Sequence, residues 1–171
     1  YGMIKMRLKK KQLNSLSKIP LIILAGGKGS RLQEYTNKIP KPLIKLNNKP
    51  LIDIIIDQYK KYGVEKVIVA AGYKHKLFTN HFKGKRNIQV INTGISSLTG
   101  LRIKKIEKYV KEDNFFLTYG DGISNINIKK LFNFHLKHKK IGTVTGVHPP
   151  SRFGVLNIKN NVLKSFEEKP Q

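Results

Sequence analysis

Three glycines crowd the segment that follows an apolar run, Leu21-Ile22-Ile23-Leu24-Ala25, and the chain there reads Gly26-Gly27-Lys28-Gly29-Ser30-Arg31-Leu32. Lacking side chains, Gly26, Gly27 and Gly29 can turn backbone N–H groups toward an anion, while Lys28 and Arg31 add positive charge that arginine delivers bidentately. The chemistry this predicts is the cradling of a triphosphate. The spacing is not that of a Walker loop, and Leu32 stands where a dinucleotide fingerprint needs its third glycine. Farther on, Ile39-Pro40-Lys41-Pro42-Leu43 restricts the backbone on both sides of Lys41, which predicts an ammonium held in place instead of swinging freely. A third group is Asp121, at the end of the apolar run Phe115-Phe116-Leu117-Thr118-Tyr119 and between Gly120 and Gly122. Such an aspartate suits Mg²⁺ beside bound phosphates, because Mg²⁺ takes one or two carboxylates and completes its shell with phosphate and water. An Asx-turn, or a helix cap ahead of Ile126 to Lys130, is the alternative for the same residue.

Strands must carry these groups to one place. Leu21 to Ala25, bounded by Pro20 and by Gly26-Gly27, reads as a strand buried on both faces of a parallel sheet. From Leu51 to Tyr62 apolar residues recur at helical spacing, with Pro50 setting the first turn and Gly63 the stop. Val67 to Ala71 predicts a second buried strand ending in Gly72, followed by a helical stretch from Lys74 to Phe82. The alternation continues with a strand at Ile88 to Ile91, a helix at Leu101 to Val110, a strand at Phe115 to Tyr119, a helix at Ile128 to His138 and a strand at Thr143 to Val147. This order predicts an α/β, Rossmann-like fold, with a mainly parallel sheet and helices on both faces. After Pro149-Pro150, Val155 to Ile158 and Val162 to Phe166 predict a C-terminal β-hairpin turning at Lys159-Asn160-Asn161. Ligands of open α/β sheets bind at the carboxyl ends of the strands, where the glycine loop and Asp121 are expected.

Gly-Gly-x-Gly-Ser-Arg-Leu followed by Pro-Lys-Pro resembles the signature of the nucleoside-triphosphate sugar nucleotidyltransferases, with Ser30 where that family usually has threonine. The resemblance runs through Asn48-Lys49-Pro50-Leu51-Ile52, Tyr62-Gly63-Val64 and Gly72-Tyr73 and covers nearly all of Leu21 to Gln171. Tyr119-Gly120-Asp121-Gly122, Arg152-Phe153-Gly154 and Glu167-Glu168-Lys169-Pro170 look most like its glucose-1-phosphate cytidylyltransferase branch. The resemblance implies that Leu24, Gly26, Gly27, Gly29, Ser30, Arg31, Lys41, Thr99, Gly100 and Gly120 bind the nucleotide and that Asp121 holds Mg²⁺. Asn92-Thr93-Gly94 and Leu98 to Arg102 would border the base. It further implies that Gly154, Glu168 and Lys169 bind the sugar phosphate, and that Arg31, Lys41, Asp121 and Lys169 carry catalysis. One departure falls at Gly100-Leu101, where the branch has two glycines before the arginine, and the bulkier side chain bears on how closely a base approaches.

The implied reaction joins a nucleoside triphosphate, CTP in that branch, to a sugar 1-phosphate such as glucose 1-phosphate, giving a nucleotide sugar and pyrophosphate. Attack in line on the α-phosphorus needs positioning and charge neutralisation but no protein nucleophile. The alternatives are an enzyme specific for UTP or dTTP, and a nucleotide-binding or regulatory module without turnover.

The net charge of +24 raises nucleic acid as a rival partner. Lysines greatly outnumber arginines and spread along the whole chain, on the expected solvent side of helices at Lys129, Lys130, Lys137, Lys139 and Lys140. We read them as a solvated surface whose field attracts small phosphorylated ligands, with no dedicated nucleic-acid function. No apolar run reaches the roughly 18 residues of a membrane span, and without cysteine there is neither a disulfide framework nor a thiolate metal site. A cytoplasmic location is the expectation. We expect a basic tail at 1–18 and a nucleotidyltransferase domain at 19–171. The chain opens on Tyr1 and stops just after Glu168-Lys169-Pro170, so the gene product is expected to extend further, and the resemblance implies that the full-length protein forms a homo-oligomer.

Overall fold

The computed structural model describes residues 16–29, 36–147 and 154–167. By contact the chain divides into two compact units, residues 1–132 and 133–171.

The first unit is built on a parallel sheet of β1 (Leu21–Ala25), β4 (Val67–Ala71), β5 (Ile88–Asn92) and β6 (Phe116–Tyr119), in the order β5-β4-β1-β6. All five residues of β1 and of β4 are buried, as continuous apolar runs predict for strands covered on both faces. Register aligns their ends: Ala25 lies opposite Ala71 and Leu24 opposite Tyr119, so Gly26, Gly72 and Gly120 all emerge at one rim of the sheet. Two short strands, β2 (Lys45–Leu46) and β3 (Lys49–Pro50), form an antiparallel hairpin whose turn residues Asn47 and Asn48 both have positive φ. Asparagine tolerates that conformation in a tight hairpin turn.

Side chains of β1 alternate between two apolar layers. Leu21, Ile23 and Ala25 meet helix α1 (Leu51–Lys60) through Ile52, Ile55, Ile56 and Tyr59, together with Phe78 of α2 (His75–His81) and Ile128 of α4 (Ile128–His138). Ile22 and Leu24 face the other way, toward Ile103 and Ile106 of α3 (Thr99–Ile106). Helices therefore cover both faces, and each fully buried Leu or Ile contributes about 1.5–3 kcal/mol. Residues 1–15 of the expected basic tail lie outside the described residues. Leu16–Lys18 form a short 3₁₀ turn whose Leu16 is buried in the core.

The second unit contains the antiparallel hairpin β7 (Val155–Lys159) and β8 (Val162–Glu167), with Asn160 and Asn161 both at positive φ in its turn, as expected. The strand expected at Thr143 to Val147 does not form. Its β-branched residues favour extended backbone, but a strand needs a paired neighbour. Instead, the Thr143 hydroxyl lies 2.8 Å from His135 Nδ1 and 2.6 Å from His138 Nε2, while Val144 and Val147 are exposed.

Candidate active site

A cleft of about 510 Å³ opens at the carboxyl rim of the sheet. Leu24, Gly26, Gly27, Gly29, Lys41, Thr99, Gly120 and Asp121 all line it, joined by Ile95 to Leu98 and by Arg102. Gly100 does not: it borders a separate cavity with Ile22, Ile103 and Val110. Ser30, Arg31, Glu168 and Lys169 lie outside the described residues, as do Leu32, Arg152 and Phe153.

Lys41 begins a short 3₁₀ turn, Lys41–Leu43, entered from Pro40 in extended backbone and continued by Pro42. Pro42 packs on Gly120 so closely that a Cβ there would lie 2.5 Å from the proline Cγ. Gly120 also extends the strand ladder, its N–H donating to the Leu24 carbonyl at 3.0 Å. The glycine before Asp121 thus serves the fit between two loops, and that fit sets the distance between their charges. Lys41 Nζ lies 2.6 Å from Asp121 Oδ2, with both side chains 38% exposed. This brings together, from opposite ends of the sequence's first unit, a cation suited to phosphate and a carboxylate suited to a cation.

The glycines differ among themselves. Gly27 has open space where a side chain would stand, Gly29 has φ +66° beside Thr36, and a Cβ on Gly26 would overlap the Arg102 guanidinium. Only Gly27 has the free surface expected of a loop pressed against a ligand. At Gly154 a Cβ would overlap the Phe166 ring, so that glycine is required by packing inside the second unit itself.

Arg102 was not singled out by sequence reasoning. It is 6% exposed, and burial lowers its pKa from the ordinary arginine value. Its Nη1 donates to Thr93 Oγ1 at 2.6 Å and to the Gly94 carbonyl at 2.9 Å, while Nη2 donates to the carbonyls of Gly26 at 2.9 Å and Ile95 at 3.2 Å. The loop before Lys41 is tied down as well, since Lys74 donates to the carbonyls of Asn37 and Lys38 and the Tyr73 hydroxyl to that of Thr36.

Asp121 stands without a cage: among the described residues no group of three or more His, Cys, Asp or Glu could hold a metal ion. One carboxylate at a cleft rim fits Mg²⁺ that brings phosphate and water as its other ligands, and fits poorly a metal bound by protein alone.

The cleft thus gathers the glycine loop, a lysine and one carboxylate among the described residues. The family described as Nucleotidyl transferase matches residues 21–171. The chain belongs to that family. This nucleotidyltransferase is 38% identical to a glucose-1-phosphate cytidylyltransferase of Salmonella typhimurium, over 88% of its own length and 68% of the relative's. It is 34% identical to a D-glycero-alpha-D-manno-heptose 1-phosphate guanylyltransferase of Campylobacter jejuni, over 86% and 67%. Among solved structures it resembles HddC from Yersinia pseudotuberculosis, with a TM-score of 0.59 at 27% identity, covering 90% of this chain and 70% of that one. It therefore spans about two thirds of the length of these relatives. No helix among the described residues is long and apolar enough to cross a membrane.

Proposed function

We propose that the chain forms the nucleotide-binding part of an enzyme that transfers a cytidylyl group from CTP to glucose 1-phosphate. The observation that carries this reading is the meeting of Lys41 and Asp121 at 2.6 Å in a cleft walled by the glycine loop. Cytidine and glucose rest on the similarity to the Salmonella typhimurium relative. A phosphate oxygen of the sugar phosphate forms a bond to the α-phosphorus, the bond from that phosphorus to the β-bridging oxygen breaks, and pyrophosphate leaves.

The amides of the glycine loop and Arg31 bind the departing β- and γ-phosphates, and Lys41 stabilises charge growing at the α-phosphate. Glu168 holds the sugar and Lys169 orients its phosphate, while the sugar role expected of Gly154 gives way to its packing against Phe166. Asp121 is the residue that would hold Mg²⁺, which when bound supplies charge neutralisation at the phosphates. Thr99 lines the cleft and stays with the nucleotide, whereas Gly100 lies outside the cleft lining.

Thermal unfolding with CTP, UTP, dTTP, GTP or ATP, each with and without Mg²⁺, tests the reading, because a ligand of the native state raises apparent stability. CTP with Mg²⁺ should give the largest rise. A larger rise with another triphosphate would replace cytidine by that base, and no rise with any, from folded protein, would overturn the site.

A further inference from the structure

We propose that Arg102 is the positioning residue that sets the direction of the cleft's backbone amides and couples its two walls. The proposal rests on the nucleotide-binding reading above.

Arg102 sits in the first turns of α3, its N–H bonded to the Leu98 carbonyl at 3.0 Å. From there its guanidinium reaches the segment after β1, at Gly26, and the segment after β5, at Thr93 to Ile95. Thr93 Oγ1, which accepts from Arg102, donates in turn to the Ala71 carbonyl at 2.7 Å, so the end of β4 joins the same network. The Gly26 carbonyl has a second donor, the Tyr73 N–H at 3.1 Å. One side chain thus ties three strand ends and a helix.

A trans peptide is planar, so its C=O and the following N–H point in opposite directions. Drawing the carbonyls of Gly26, Gly94 and Ile95 onto the guanidinium therefore turns the N–H groups of Gly27, Ile95 and Ser96 away from it. All three residues line the cleft. The first belongs to the glycine loop and the other two to the facing wall, so the phosphate side and the facing side take their orientation from one group.

The cost of this arrangement argues that it serves more than stability. None of the ion pairs among the described residues involves Arg102. A nearly buried guanidinium balanced by carbonyl and hydroxyl dipoles alone is expensive to desolvate, and apolar packing commonly does as well or better for stability. Space is also reserved for it at two places, since a Cβ on Gly26 or Gly72 would strike the guanidinium. Neither glycine has positive φ, so what both positions require is the missing side chain and not an unusual backbone.

The test uses the whole chain with Arg102→Lys and Arg102→Ala, each with and without added guanidinium ion. Amide ¹H–¹⁵N spectra of the ligand-free proteins should show the Gly27, Ile95 and Ser96 resonances displaced in both variants. Guanidinium should bring them back in Arg102→Ala. CTP affinity, measured by calorimetry with Mg²⁺, should fall about 10- to 100-fold in Arg102→Ala, the range for losing oriented hydrogen bonds to a charged ligand. Guanidinium should restore part of it. Arg102→Lys covers the case in which the alanine variant does not fold. Unmoved amide resonances, or unchanged affinity in a folded variant, would overturn the positioning role. Failure of the unmutated chain to bind CTP or any other triphosphate would instead overturn the nucleotide reading on which the role depends.

Discussion

Lys41 and Arg102 bring positive charge to the same cleft in opposite ways. Lys41 is partly exposed, stands on a loop stiffened by prolines, and is paired with the Asp121 carboxylate. Arg102 is buried, stands on a helix, and is committed to neutral oxygens of the backbone and of Thr93. An exposed ion pair is weak and easily exchanged, so on the proposed reading Lys41 and Asp121 trade each other for phosphate and metal at little cost. A buried cation with four acceptors cannot move without leaving them unsatisfied. On the proposed reading, the difference separates the groups that handle a ligand from the group that shapes the place where it is handled.

Substitutions at the exchangeable pair test the contrast most severely. Lys41→Ala and Asp121→Asn should each lower turnover by about 10²–10³-fold, measured as pyrophosphate release, while urea unfolding shifts by less than about 1 kcal/mol, as for other exposed pairs. Near-normal turnover in either variant would remove that pair from the chemistry.

Two neighbouring glycines divide the loop along the same line. Gly26→Ala should cost about 1–3 kcal/mol, because the new methyl drives into the buried guanidinium. Gly27→Ala should change stability by less than about 0.5 kcal/mol but weaken triphosphate binding, since a Cβ there meets no protein atom within 4 Å and the residue lines the cleft. Equal stability losses at both positions would erase the distinction.

The smallest effect belongs to an exposed pair away from the cleft. Lys66 holds the Glu112 carboxyl below the ordinary carboxylate range, chiefly through its hydrogen bond. A folded-state pKa below the unfolded one gives stability that is present above the unfolded pKa and lost as pH falls through the folded one. Glu112→Gln should therefore flatten the acid limb of the stability profile by less than about 1 kcal/mol. A larger change would mean that exposed pairs here matter more than the contrast between Lys41 and Arg102 allows.

What could be read from the sequence follows from how local each signal is. β1 and β4 were legible because strands buried on both faces are apolar throughout, and α1 because Pro50, Gly63 and the spacing of Ile52, Ile55, Ile56 and Tyr59 agree. The two asparagine pairs differ: Asn160-Asn161 was read as a turn, while Asn47-Asn48 forms one between strands of two residues, too short to leave a pattern. Thr143 to Val147 misled because β-branched residues report a preference and not a partner. Arg102 was placed only within a segment bordering the base, because nothing local to that segment shows that its guanidinium turns inward to backbone carbonyls. Its trace lay in Gly26 and Gly72, glycines at two strand ends, which local sequence cannot connect to a side chain so far along the chain.

The sheet order carries one more meaning. β1, which delivers Gly26 and Gly27, is flanked by strands on both sides, whereas β6, which delivers Asp121, pairs with β1 alone among the described residues. Local opening is easier where fewer neighbours hold the backbone. The acidic side of the cleft therefore rides on an edge strand of the described sheet and the glycine side on an internal one, so hydrogen exchange should be faster along Phe116 to Tyr119 than along Leu21 to Ala25.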